Sequence, residues 1–266
     1  MTNPTVGEII KAQVTDENDA YFFAQVDGYT YEVDKLELEK PLKLGGFVTG
    51  FAYENENHKL QITKKIPTVQ KDSYGWGTVV ATRHDLGVFV AIGLPNKDLV
   101  VSLDDLPTIT TLWPQKGDRL MVAMKSDSKG RLWGEIAQQS IFDAVSRRAP
   151  EEMKSKKVKA TVYRNKIAGT LIVTEEYYLG FIHPSQRYDE PRLGQVVDAR
   201  VIGVREDGSL NLSVKPLAYK TMDEDAQFLL LQLQRRADHF YLLMIKVPLK
   251  RLKSSLALVK VNLNGH

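Results

Sequence analysis

A single strand plan written three times constrains this chain more than any bulk property, because a long internal period fixes the architecture before any residue is assigned a role. Each copy opens with a β-rich stretch, at residues 9–14 (IIKAQV), 77–82 (GTVVAT) and 158–163 (VKATVY). An apolar strand follows, at 20–23 (AYFF), 87–90 (GVFV) and 169–172 (GTLI). Next comes a strand that runs into a short polar turn, at 31–34 (YEVD), 100–103 (VVSL) and 181–185 (FIHPS). A glycine then starts a fourth strand, at Gly45, Gly117 and Gly194, and the closing-hairpin leucines Leu60, Leu132 and Leu210 follow those glycines by 15, 15 and 16 residues. Asp207-Gly208 and Lys129-Gly130 supply the positive φ that a tight hairpin turn needs, and residues 54–58 (ENENH) do so less sharply. Five short strands per unit, with no helical stretch long enough for a crossover, predict a small closed barrel rather than an α/β layer. The expected fold is mostly β: three tandem barrels at 1–66, 70–139 and 154–216, followed by a helical tail at 219–266.

Composition narrows the function classes without choosing one. The chain has 266 residues, 43% apolar and 26% charged, which suits ordered soluble domains. It has no cysteine, which excludes disulfides, thiolate zinc and a cysteine nucleophile and agrees with a reducing compartment. Neither a signal-like start nor an apolar run near the roughly 18 residues of a membrane span is present, so a cytoplasmic protein without a membrane partner is expected. Charge runs from acidic to basic along the chain: seven basic against eleven acidic residues over 1–66, ten against nine over 67–150, eleven against nine over 151–218 and eight against four over 219–266. A polyanion would therefore meet the later segments more strongly.

Taken in order, the apolar strand, the Gly-x-Phe-Val of Gly87-Val88-Phe89-Val90, the turn of Gly180-Phe181-Ile182-His183-Pro184-Ser185 and the closing hairpin resemble the S1 type of RNA-binding OB fold over residues 5–216. Three such barrels followed by residues 219–226 are similar to the bacterial conserved virulence factor B family, whose members end in a winged helix. That resemblance implies single-stranded RNA, including mRNA, as partner, post-transcriptional control of gene expression as role, and no cofactor. OB barrels hold single strands by stacking bases on aromatic rings beside a basic groove. In the S1 pattern the ring position falls on Phe22, Phe89 and Leu171, the histidine position on Glu32, Ser102 and His183, and the basic hairpin position on Lys59, Arg131 and Ser209. Trp133 adds a ring near Arg131, and Lys64, Lys65 and Lys215 add charge just after the closing strands. By this reading no barrel keeps the full set, so the expected site is a composite surface whose partial contacts are combined by tethering.

Each of these residues also has a plainer role: a core phenylalanine, a turn histidine, a solvated lysine. Asp104-Asp105 resembles a catalytic pair, but adjacent residues on a strand or turn diverge. No phosphate loop, dinucleotide fingerprint, HExxH or nucleophile elbow occurs, and the five histidines are scattered, so neither catalysis nor a metal is expected. The competing readings are a protein-interaction scaffold and a regulator that binds duplex DNA through a winged helix. The tail begins with a helical pattern at 222–236 that degrades beyond Ala237. A reading-frame change near Arg236 would account for this, since back-translating residues 243–266 in the shifted frame permits DDKSSPEEIKVKFGISKGQFKRA, a string similar to the family's winged helix.

Overall fold

The computed structural model describes residues 5–71, 73–127 and 131–216. The expectations for the tail, including the winged helix, and the turn at Lys129-Gly130 lie outside these residues. Three five-stranded barrels are present. The first contains β1 (Glu8–Glu17), β2 (Tyr21–Val26), β3 (Tyr29–Asp34), β4 (Phe47–Glu54) and β5 (Leu60–Thr63). The second contains β6 (Gly75–Arg83), β7 (Gly87–Ala91), β8 (Leu99–Ser102), β9 (Arg119–Ser126) and β10 (Leu132–Ile136). After a short helix, α1 (Gln139–Val145), the third contains β11 (Lys157–Lys166), β12 (Gly169–Thr174), β13 (Leu179–Ile182), β14 (Val196–Val204) and β15 (Leu210–Ser213). Each closes in the order first, second, third, fifth, fourth, with the third and fifth strands parallel. This is the OB topology.

The first strand of each barrel bends at a bulge that shifts its register against the second strand, after Val14, Val79 and Val162. The bulge lets one long strand pair with two partners around a tight cylinder. Inward positions alternate along the strands and fill each barrel with its own apolar cluster: Val14, Tyr31 and Val48 in the first, Val79, Val90 and Val122 in the second, Val162, Ile172 and Leu212 in the third.

The barrels are packed onto one another, which departs from the expectation of independently tethered modules. Phe51 and Tyr53, on the outer side of β4, are buried in the same cluster as the second barrel's core, together with Val69 of the connecting segment. Between the second and third barrels, Phe142 of α1 stacks on Tyr163 at a centroid distance of 4.1 Å, inside a cluster with Met121, Ala137 and Val173. The Trp76 indole donates to the Tyr177 hydroxyl (3.0 Å) and Arg119 N–H to Gly194 C=O (2.8 Å). Arg192 grips Asp118 through two charge-assisted bonds, Nε to Oδ2 at 2.6 Å and a terminal nitrogen to Oδ1 at 3.1 Å. Shared apolar clusters and a partly buried ion pair thus join neighbouring barrels directly, where a flexible linker would leave them apart.

Candidate nucleic-acid interface

Strand register identifies equivalent outward positions in the three barrels. Directly across the bulge, Phe23, Phe89 and Leu171 pair with Asp16, Ala81 and Arg164. The ring position of the first barrel is therefore Phe23, and the assignment to Phe22 is corrected. Phe22 is 2% exposed and packs in the core, because successive side chains on a strand point to opposite faces. Lys35 covers what remains of its ring, at 4.6 Å.

The outward row continues across the sheet. It runs Phe23, Glu32, Gln61 in the first barrel, Phe89, Val100, Trp133 in the second and Leu171, Phe181, Asn211 in the third. The histidine position is likewise shifted in the first barrel, to Asp34 rather than Glu32. Asp34, Ser102 and His183 each cap a 3₁₀ turn by accepting from the backbone N–H two residues on. In His183 the acceptor is Nδ1, which takes the Ser185 N–H at 3.2 Å and lies 2.8 Å from the Ser185 hydroxyl. With Nδ1 used as an acceptor, the neutral ring carries its proton on Nε2, a donor available to a ligand.

The three faces differ in charge and access. In the first barrel Lys59 is held by Glu32 (3.0 Å), while Gln61 is 6% exposed and accepts from the buried Tyr53 hydroxyl (2.8 Å). That face is neutralised and partly closed by the junction. In the second, Phe89, Val100 and Trp133 form a half-buried apolar strip. The Arg131 guanidinium lies 5.6 Å over the Trp133 ring and is bound by Asp127 at 2.7 Å. Asp127 also accepts from the Trp133 indole at 3.3 Å.

In the third barrel Leu171 packs into the cluster around Phe142, so this ring position is consumed by the joint with the second barrel. The next residue in the row takes its place. Phe181 lies against Gly169, where a Cβ would sit 2.5 Å from the ring's Cζ. It lines an open cleft of about 340 Å³ with His183, Ser185, Arg205 and Asn211. The Arg205 guanidinium is 5.4 Å over the Phe181 ring, and His183 meets the ring edge-on at 6.4 Å. Arg205 N–H donates across the hairpin to Ser209 C=O, as Asp127 does to Arg131. The cation missing at Ser209 is thus supplied from the facing strand. Its Nε donates to the neutral Asn211 Oδ1 (2.9 Å), and among the described residues no carboxylate forms an ion pair with it. Ring, imidazole, guanidinium and amide therefore converge in one place. Sequence reasoning had missed Phe181, Arg205 and Asn211.

The remaining candidates lie apart from that cleft. Lys64 donates its Nζ to Thr49 C=O (2.8 Å), and Lys65 is exposed beside it. Lys215 stands 4.9 Å over the Tyr188 ring.

Comparison with known proteins agrees with three S1-like domains. Residues 6–65 match the S1 domain family, residues 74–135 the family described as CvfB first S1-like domain, and residues 142–216 that described as virulence regulatory factor CvfB, second domain. Conserved virulence factor B of Staphylococcus epidermidis is 32% identical over 79% of this chain and 71% of its own length. The chain belongs to the conserved virulence factor B family. Another relative, the Bacillus subtilis protein YitL, is 35% identical over 86% of this chain and 77% of its own length. A crystal structure of a multidomain protein with nucleic acid binding domains from Streptococcus pneumoniae is 46% identical. It superimposes with a TM-score of 0.77, covering 87% of this chain and 81% of that one. No helix among the described residues is long and apolar enough to cross a membrane.

Proposed function

We propose that this virulence factor B relative is a non-enzymatic cytoplasmic protein that binds single-stranded RNA and acts in post-transcriptional control, with the third barrel as its principal site. The observation that carries this is the cleft of Phe181, His183, Arg205 and Asn211, in which a guanidinium that forms no direct ion pair among the described residues, with the Asp207 carboxylate near it, lies over an aromatic ring. A base freed from its stack lies on the ring and guanidinium layer, the terminal N–H groups of Arg205 meet a phosphate, and His183 Nε2 donates to a base or sugar acceptor. Duplex bases are already stacked and cannot use such a layer. Every group in the cleft binds, and no reaction step is assigned to it. Phe89 and Trp133 extend the apolar contact on the second barrel. Arg131 contributes there only when a phosphate displaces Asp127, a direct competition between two anions. A transcript held extended on these faces would change its access to ribosomes or nucleases.

The test is a titration of fluorescent single-stranded RNA, single-stranded DNA and duplex DNA at two salt concentrations. Single-stranded RNA binding that weakens with salt is expected. Preference for duplex would favour the winged-helix reading, and salt-independent absence of binding would favour a protein-interaction scaffold.

A further inference from the structure

We infer a second nucleic-acid contact on the first barrel, centred on Phe47 and lying on its β1–β4 side, away from the S1-type face. Phe47 begins β4, is 60% exposed and has the Lys11 ammonium 4.7 Å over its ring. Lys11 pairs in register with Thr49, and the carbonyl of Thr49 accepts from Lys64 Nζ at 2.8 Å. One exposed ring and two ammonium groups therefore share a patch. Of the eleven acidic side chains in residues 1–66, four are held by cations elsewhere: Glu17 by Lys35, Glu32 by Lys59, Glu54 by His58 and Glu8 by Lys71. Glu37 is held by the Thr63 hydroxyl and the Lys64 backbone N–H. Among the described residues neither Lys11 nor Lys64 forms an ion pair, whereas Lys35, Lys59 and Lys71 all do.

The repeat shows what these positions are capable of. In the second barrel the positions of Lys11 and Phe47 are held by Trp76 and Arg119, again a cation over a ring, at 5.1 Å, with the two roles exchanged. There the pair is used to seat the third barrel. In the first barrel it is exposed, and a ring beside two ammonium groups that form no ion pair among the described residues fits a polyanion with flat bases. Stacking on Phe47 and phosphates on Lys11 and Lys64 would give the acidic first barrel a foothold on RNA although its S1-type face is neutralised and partly closed.

This inference rests on RNA being the ligand of the third barrel, and the experiment separates the two claims. A long unstructured RNA and a short oligonucleotide that fills only the third-barrel cleft are titrated against wild type, Phe47→Ala and Lys11→Gln. Both substitutions are at exposed positions, where replacements change stability little. The expected result is a loss of about fivefold or more in affinity for the long RNA with Phe47→Ala, and no change for the short one. Lys11→Gln should flatten the salt dependence of the long RNA by about 0.7 in log–log slope. Wild-type binding of the long RNA that both variants reproduce overturns the first-barrel contact alone. Absence of RNA binding by the wild type overturns it together with the proposed function.

Discussion

Replacing Arg192 by alanine tests whether the second and third barrels are one rigid body. The Asp118 side chain is only 6% exposed and receives two bonds from Arg192 besides the Gln115 N–H at 2.7 Å. Removing the guanidinium strands a buried carboxylate with one backbone donor. Breaking a fully buried pair in this way costs about 3–5 kcal/mol. Because Arg192 is 27% exposed, water partly compensates, and about 2–3 kcal/mol is the appropriate figure. In a cooperative unit of this size that lowers the melting midpoint by about 4–12 °C. Calorimetry should show one transition in wild type and a shifted one in Arg192→Ala. Asp118→Ala combined with Arg192→Ala should recover part of the loss, since the stranded charge is gone, with a coupling above about 1 kcal/mol in the double-mutant cycle. An unchanged midpoint in Arg192→Ala, or separate wild-type transitions for the two barrels, would refute the shared joint.

Phe22→Ala should destabilise the first barrel by about 3–5 kcal/mol in urea unfolding, whereas Phe23→Ala, on the outer row, should cost well under half of that. Gly169→Ala would bring a methyl within 2.6 Å of the Ile182 carbonyl and 2.5 Å of the Phe181 ring, at a φ of +149°. It should cost about 2 kcal/mol or more and weaken RNA binding by displacing Phe181, read by thermal melts and titration. Burial, reinforced by the nearby Asp143 carboxylate, pushes the Tyr163 phenol up to about 12 from its ordinary value of 10.0. The neutral phenol is the buried form, so its contribution is complete below pH 10 and is lost as the pH climbs from 10 towards 12, by about 2–3 kcal/mol. Tyr163→Phe should remove that alkaline slope from the stability profile.

The threefold plan and the barrel topology were legible because each strand announces itself by alternation and each turn by glycine at a fixed offset. What failed was finer than a strand. Phe22 and Phe23 are adjacent rings, and the bulge after Val14 decides which one faces out, yet a bulge leaves no clear mark in sequence. Asp34 was missed because the capping role, and not the identity of the residue, is what the three turns share. Arg205 escaped because the guanidinium reaches the cleft from the opposite strand of the hairpin. The joints did leave a signal: consecutive apolar residues at Phe51-Ala52-Tyr53 and Leu171-Ile172-Val173 mark strands covered on both faces, which a lone barrel would not need. The same burial explains why a leucine stands where the S1 pattern has a ring.

The most direct test of the central claim is to follow side-chain and backbone NMR signals while single-stranded RNA is added. The cleft assignment predicts that Phe181, His183, Arg205 and Asn211 shift together at the lowest RNA ratios, with His183 showing the Nε2–H tautomer before RNA is added. Shifts that leave those four residues untouched while others saturate would contradict it.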